Sequence, residues 1–419
     1  MAEKPLRSTS GINGFAGAAA VPGERRGHGR TRILQMSIHT GRVTRKITVL
    51  LPLIALLALP VGGRAADPPA GSLPKEELKK DIAVVKKDDF LLIPHAYYKP
   101  ETQIAGGLAF LSYFRIGSDF PLHIRPSTLA TTLTYTQQKQ FIWQLFPEFY
   151  LDNEKYHLVG ELEYYYYPNY FYGIGNDTPE DAREGYTSTT VRFRSDLQRE
   201  IANRLYMGFV YHYERTEIED SEEGGLLESE GVPGSSSSMA SGIGLSLNLD
   251  TRDNAFYPSK GGLYQFSAVS FDRMFSSRFQ FIRHTLDLRK YIPLWRTHVL
   301  ALQGYSNVIY GEAPFEMLSL MGGKKLMRGL FEGRYRDNAM VVAQGEYRLP
   351  LWWRFGAVAF AGVGDVARRV QDFEPEDFKF TYGGGLRFSI NPQEKINARL
   401  DVGRSKDLTG FYFTIGEAY

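Results

Sequence analysis

The sequence predicts an all-β fold: a transmembrane, antiparallel β-barrel of about sixteen strands, with a loop inserted into the lumen and a signal peptide in front. Three observations point there. Apolar and polar residues alternate with period two along most of the chain, aromatic residues crowd the ends of the alternating runs, and the N-terminus carries the marks of export. In Lys395–Gly403 the odd positions Lys395, Asn397, Arg399 and Asp401 are polar while Ile396, Ala398, Leu400 and Val402 are apolar. Ile243, Leu245, Leu247 and Leu249 oppose Gly244, Ser246, Asn248 and Asp250 in the same way, and Ile282, Leu286 and Leu288 oppose Arg283, Thr285, Asp287 and Arg289. Such alternation puts one set on each face of a sheet.

Taken in order, Arg42, Arg45 and Lys46 precede the apolar run Val49 to Val61, and Gly63-Arg64-Ala65 offers small residues before a cut. This reads as a signal peptide over residues 1–65, with an atypical extension over 1–35 and Met36 as an alternative start. The run is too short to cross a bilayer as a helix, and Pro52 and Pro60 interrupt it. Residues 66–89 form a short polar tail, and residues 90–419 the barrel. Strands are predicted near 90–97, 103–115, 128–139, 141–152, 156–167, 185–199, 203–215, 239–250, 261–271, 279–291, 296–310, 338–350, 352–363, 378–390, 395–403 and 411–419. Pro94 suits only an edge strand or a bulge. The aromatic clusters Tyr164 to Tyr167, Tyr170 to Tyr172, and Trp352, Trp353 and Phe355 suit interfacial girdles.

Alternation alone also fits a soluble sandwich, with its apolar face inward; the export signal and the girdles favour the barrel. Long connections (168–184, 216–238, 311–337 and 364–377) alternate with short turns, placing both termini on the periplasmic side. The turn at 251–260 is the longer exception there. Glu217 to Ser238, acidic and then rich in Gly and Ser, predicts a mobile surface loop.

The chain has 419 residues, 14% aromatic, with 42 Gly, no Cys and a formal charge of +2. Zero Cys excludes disulfides, zinc–thiolate sites and a Cys nucleophile. The near-neutral balance gives no reason to expect a nucleic-acid partner. The histidines show no metal-ligand spacing, Gly-x-Ser-x-Gly is absent, and Gly322-Gly323-Lys324-Lys325 lacks the form of a phosphate loop. No enzyme activity, metal or cofactor is expected.

The long connection 311–337 carries the candidate site. Its segment Met321 to Leu330 contains Arg328-Gly329-Leu330, and the strand after it bears Glu346 on the polar parity of Gln344 and Arg348. One reading makes Arg328 a solvated charge on an extracellular loop. The other folds the loop into the lumen, where Arg328 latches onto Glu346 as an arginine fork on a carboxylate, with Gly329 allowing close backbone approach. At the C-terminus, Tyr419 shares parity with Phe411, Phe413 and Ile415, predicting an outward aromatic row.

Several of these segments together resemble the outer-membrane assembly-factor superfamily typified by BamA and TamA. They are Phe171-Tyr172-Gly173-Ile174-Gly175-Asn176, the turn Asp250 to Gly261 (with Asp250, Arg252, Asp253, Pro258 and Gly261), Arg328-Gly329-Leu330, Glu346-Tyr347-Arg348-Leu349-Pro350-Leu351, and the ending Phe411 to Tyr419. Their joint order over 90–419 is specific where each alone is weak. The resemblance implies a short form without periplasmic polypeptide-transport-associated domains, in the outer membrane of a diderm bacterium. It implies a role in inserting, assembling or translocating proteins, with lipid and unfolded outer-membrane or secreted proteins as partners. It also makes the C-terminal row a signal read by the host's barrel-assembly machinery. Two departures stand out: Leu330 replaces the usual aromatic after Arg-Gly, and Gly362 replaces the acid usual on the next strand. Arg328 is therefore expected to lean more heavily on Glu346. A passive or loop-gated pore is the alternative function, and a phospholipase-type barrel a third.

Overall fold

Side-chain alternation builds the wall, and burial shows which face meets what. Leu245 is 59% exposed while its neighbour Ser246 is 6% exposed. Leu400 and Val402 are likewise exposed, whereas Arg399 and Asp401 are buried. A sandwich in water would invert this. An outward apolar face and an enclosed polar one belong to a barrel in lipid.

The computed structural model describes residues 90–419 other than 100, 115, 117–125, 230, 296, 393, 394 and 407. The predicted signal peptide, the polar tail and the alternative start at Met36 lie outside the described residues. The wall begins with β1 (Phe90–Lys99), β2 (Gln103–Phe114), β3 (Ser127–Thr136), β4 (Phe141–Leu151), β5 (Tyr156–Phe171) and β6 (Glu184–Ala202). It continues through β7 (Leu205–Ser221), β8 (Ser237–Asp250), β9 (Gly261–Phe271), β10 (Gln280–Pro293) and β11 (Val299–Glu312). Two short strands, β12 (Ser319–Met321) and β13 (Tyr335–Asp337), pair with each other outside the wall, and the Arg336 carbonyl of β13 also accepts from the Gly175 amide at 2.8 Å. The wall resumes with β14 (Ala339–Pro350), β15 (Phe355–Ala367), β16 (Lys379–Asn391), β17 (Ile396–Arg404) and β18 (Thr409–Ile415).

Omitting β12 and β13, these form one 16-stranded sheet in which each strand pairs antiparallel with its neighbour in sequence. The even count brings the start of β1 and the end of β18 to one end of the barrel. The barrel is nearly closed. Tyr98 of β1 meets Phe411 of β18 edge to face, with centroids 6.3 Å apart, yet among the described residues no ladder joins these two strands. Pro94 lies on β1, opposite Leu108, at an edge that tolerates a missing donor.

The wall is uneven. β6 has 19 residues and β7 has 17, but β18 has only 7. β15 starts at Phe355 rather than near 352, because Leu351 to Arg354 form the turn: the Phe355 amide donates to Trp352 O at 3.0 Å and Trp353 takes a φ of 53°.

The segment expected to be a mobile loop is folded instead. β7 runs on to Ser221, a short helix α1 (Leu226–Ser229) follows, and Leu227 and Val232 are buried. They join Phe171, Tyr186, Phe271, Phe281 and Phe315 in an apolar cluster at the end away from the termini. The Phe315 ring stands edge-on to Phe171 at 5.4 Å and to Tyr186 at 5.5 Å. Leu226, Leu227 and Val232 supply the apolar anchors that the Gly/Ser composition concealed. Phe315→Ala is expected to lower unfolding stability in detergent by about 3–5 kcal/mol through the cavity it leaves; an unchanged melting temperature would show that this cap does not contribute to the cooperative fold.

Candidate functional site

The segment between β12 and β13 is shaped by its own backbone before it touches the wall. The Gly323 amide donates to Leu330 O at 3.1 Å, and the Leu330 amide to Met327 O at 3.1 Å. Met321, Met327, Leu330 and Tyr335 then pack with Met340, Val342 and Val366 on the polar-side face of β14 and β15. The Met327 amide donates to Gln344 Oε1 at 3.2 Å, and Gln344 Nε2 donates back to Lys325 O at 2.9 Å.

This docking carries Arg328 to a position where it is 1% exposed. Its Nη2 donates to Glu346 Oε2 at 2.7 Å and its Nη1 to Asp401 Oδ2 at 2.5 Å. The guanidinium lies 3.5 Å from the centroid of the Phe360 ring, a stacked cation–π arrangement. Phe360 is the register partner of both Glu346 and Gly383. A Cβ on Gly383 would stand 2.5 Å from the Phe360 ring, and one on Gly385 2.0 Å from Asp401 Oδ1. The glycines of β16 thus leave room for the ring and the acid that hold Arg328.

Gly329 is where the backbones meet. Its φ is 108°, and a Cβ there would fall 2.6 Å from the Arg404 amide nitrogen and 2.8 Å from the Gly403 carbonyl carbon. Its own amide donates to Tyr412 Oη of β18 at 2.9 Å. Leu330, where the resemblance implies an aromatic, is buried in the methionine cluster.

Arg328 was expected to lean more heavily on Glu346, but its guanidinium is shared: Asp401, three strands further along the sheet on β17, supplies a second carboxylate. Gly362 leaves space that the loop fills, since a Cβ there would lie 3.1 Å from Met327 Sδ. Asp401 stood in the polar set of its strand in the sequence, but nothing local marked it as the partner. Three further arginines belong to the network. Arg387 Nη1 donates to Asp401 Oδ1 at 2.6 Å and its Nε to Glu417 Oε2 at 2.7 Å. Arg348 Nε donates to Glu346 Oε1 at 2.9 Å. Arg399 Nε also lies 3.5 Å from Asp401 Oδ2, so Arg328, Arg348, Arg387 and Arg399 face Glu346, Asp401 and Glu417, four cations against three carboxylates, all buried.

Arg348 also ties in two distant segments. Its Nη1 donates to Pro258 O at 3.2 Å and its Nη2 to Tyr419 O at 2.8 Å, while its guanidinium sits 4.9 Å from the Tyr257 ring centroid. The turn bearing Pro258 is internally braced. Arg252 makes a bidentate pair with Asp250, both contacts 2.9 Å, and Asp253 Oδ1 accepts from the Ser259 amide at 2.8 Å and the Lys260 amide at 3.1 Å. Burial pushes the Asp253 carboxyl up, but the Ser259 hydroxyl and these amides outweigh that and hold it below its ordinary value. Gly261 closes the turn at φ 93°, where a Cβ would strike Thr251 O.

Tyr419 departs from the predicted outward row. Phe411 and Phe413 are exposed, but the strand ends at Ile415, Gly416 takes a φ of 82°, and parity is lost. Tyr419 is 4% exposed and packs with Tyr291, Val299 and Ala301.

The comparisons with known proteins agree with this geometry. A family model for the Omp85 superfamily domain matches residues 125–419. The chain belongs to the Omp85 superfamily. This Omp85 barrel is an outer-membrane protein. It is similar to the structure of BamA from Haemophilus ducreyi lacking POTRA domains 1–3, with a TM-score of 0.53 at 13% identity over 79% of this chain and 70% of that one. It is also similar to CdiB from Escherichia coli, with a TM-score of 0.51 at 11% identity over 78% of this chain and 61% of that one. At these identities the likeness is one of fold. Comparison with curated proteins finds no match.

Arg328→Ala removes the loop's buried ion pairs to Glu346 and Asp401 and its stacking on Phe360, so it is expected to destabilise the docked loop by about 3–5 kcal/mol. Lys324→Ala and Lys325→Ala should change stability by no more than about 0.5 kcal/mol. Denaturant titration in detergent checks this, and equal losses in all three would remove the ion pairs as the source of docking. Gly329→Ala is expected to push the loop off the Gly403–Arg404 backbone while the wall stays assembled. Trypsin should then cut at Lys324 and Lys325 faster than in the parent; unchanged cleavage would show that the close approach is dispensable.

Proposed function

We propose that this Omp85 barrel assists the insertion, assembly or translocation of polypeptides at the outer membrane, without catalytic chemistry. Its working element is the seam between β1 and β18. The observation that carries the reading is the missing ladder between these strands. Two facing edges with unpaired backbone groups offer a client strand a template for edge addition. The seam strand β18 is also the shortest in the wall, with 7 residues. Fully extended it reaches roughly 24 Å, less when tilted, which falls short of a typical hydrocarbon core of about 30 Å. Lipid packing is therefore least favourable where a client would enter.

In this reading the loop is a latch in the lumen. Arg328 joins it to β14 and β17, and the Gly329 amide joins it to β18. The latch holds the last strand from inside while its outer edge stays free to exchange partners. The docked loop and the apolar cap count against a passive pore. Folding clients are unfolded outer-membrane or secreted proteins, and the barrel itself is assembled by the host machinery, with Phe411, Phe413, Ile415 and Tyr419 as the recognised end.

The test is reconstitution into liposomes with an unfolded barrel client. The parent should accelerate client folding several-fold, and a bifunctional thiol reagent bridging Tyr98→Cys and Phe411→Cys should abolish the gain. The chain has no cysteine of its own to interfere. No acceleration by the parent, or equal acceleration with the seam bridged, would discard the reading.

A further inference from the structure

Two hairpin turns at the end of the barrel that holds the start of β1 repeat one sequence and one backbone. Pro293-Leu294-Trp295-Arg296 leads from β10 toward β11, and Pro350-Leu351-Trp352-Trp353-Arg354 leads from β14 toward β15. The Leu294 amide donates to His298 O at 2.8 Å and the His298 amide to Trp295 O at 3.4 Å. In the other turn the Leu351 amide donates to Phe355 O and the Phe355 amide to Trp352 O, both at 3.0 Å. Trp295 and Trp352 therefore hold the same place. β11 pairs with β14, so the two turns stand roughly 10 Å apart at the usual strand spacing. They carry three of the chain's four tryptophans, and Trp295, Trp352 and Trp353 are 72%, 67% and 77% exposed. Ring contacts show which side they take. Trp353 meets Phe355 at 6.0 Å and Phe388 at 5.9 Å, and Trp295 meets His298, which stands edge-on to Tyr347 at 5.5 Å. Tyr347 and Phe355 are exposed, and Phe388 shares the parity of exposed Leu386, so the rings lie on the outer, apolar face.

Charge separates these two turns from the rest of the rim. No Asp or Glu occurs between Leu288 and Gly311, or between Tyr347 and Gly364. The other connections of more than two residues at this end each carry an acid: Asp119, then Asp152 with Glu154, then Asp253, then Glu394. Asp152 pairs with Lys155 at 3.2 Å. The nearest acids on the strands that carry the turns, Asp287 and Glu346, are buried on the interior face and are held by Arg289 and Arg348. On the outer face Arg354 sits over the Trp353 ring, 5.5 Å from its centroid. Lys290 shares the outward parity of Leu286 and Leu288 and lies opposite Gly262 of β9, which has no side chain to cover it. Among the described residues neither cation forms an ion pair. Indole rings settle at the level of lipid head groups, and long cationic side chains reach that level along their apolar stems.

We propose that these paired turns form a site for the head group of an anionic phospholipid in the periplasmic leaflet, with Lys290 and Arg354 on its phosphate. The tryptophan rings mark the boundary between head group and acyl chains, and the chains lie along the outer face below them. Rings alone would suit any phospholipid. The two cations, on a stretch of rim without an acid to oppose them, select net negative charge. The site stands apart from client insertion: β16 and β17 separate it from the seam strand β18, and it needs neither a client nor an open edge.

The test uses the full chain with Trp143→Phe, so that all tryptophan emission comes from the two turns. It is reconstituted into phosphatidylcholine vesicles containing an equal small fraction of brominated phosphatidylglycerol or brominated phosphatidylcholine, and quenching is read against that fraction. The glycerol lipid should quench more strongly. Arg354→Gln should cut that preference about fivefold, the worth of one cation at an anionic surface, and leave quenching by the choline lipid as it was. Arg354 is exposed, so this variant should keep the parent's heat-modifiable mobility, which is checked first. If it does not, Lys290→Gln takes its place with the same expected loss. Equal quenching by the two lipids, or a preference untouched by the neutral variants, overturns the proposal and leaves the rings as anchors in any bilayer. Loss of the preference when soluble glycerol phosphate matches the lipid's concentration identifies a free-anion site and also overturns it. So does quenching by acrylamide in place of the brominated lipids, which puts the turns in water, where a soluble protein partner would meet them.

Discussion

A guanidinium taken out of water is tolerated only where carboxylates and a polarisable surface replace its hydration. Arg328 has all of these: Glu346 on one side, Asp401 on the other and the face of Phe360 beneath. The surrounding structure is arranged around that requirement. Glu346 is shared with Arg348, Asp401 with Arg387, and Arg387 reaches Glu417 in the tail. Removing one charge leaves its partners with fewer counter-charges against the same desolvation penalty. The loop, β14, β16, β17 and the tail are therefore coupled in one cluster of charges, more than a chain of independent contacts would couple them.

This cluster explains how β18 keeps its place without a second ladder. An interior strand of the sheet is fixed by hydrogen bonds along both edges. β18 has one laddered neighbour, β17, and substitutes contacts from inside the barrel. Tyr412 Oη accepts from the Gly329 amide, Glu417 pairs with Arg387, and Tyr419 O accepts from Arg348. These contacts leave its outer edge unoccupied. Any motion of β18 away from β17 would draw on the loop and the tail together, which ties the state of the seam to the state of Arg328.

Much of this was legible in the chain itself. Period-two alternation gave the sixteen strands of the wall in order, because each strand presents one face to lipid and the other to the interior. The break at 311–337 located the loop, and the parity of Glu346 placed it on the polar face. What escaped had physical reasons. Asp401 lies 73 residues from Arg328, and only the curvature of the sheet brings them together. The fold of 217–238 rests on Leu226, Leu227 and Val232, too few to form a periodic pattern. Tyr419 was misassigned because parity persists only while the backbone stays extended, and the positive φ of Gly416 ends it.

The substitution at Gly362 shows how one site can be rebuilt within a shared fold. An acid expected there is absent, and the volume it would fill is taken by Met327 of the loop. The charge it would carry comes from Asp401, whose carboxylate fits only because Gly385 has no side chain. Loss of the acid, entry of the methionine and the space at Gly385 are mutually dependent. An acid restored at position 362 would collide with Met327 of the loop. In this chain the geometry that holds Arg328 therefore depends as much on two positions without side chains as on the carboxylates themselves.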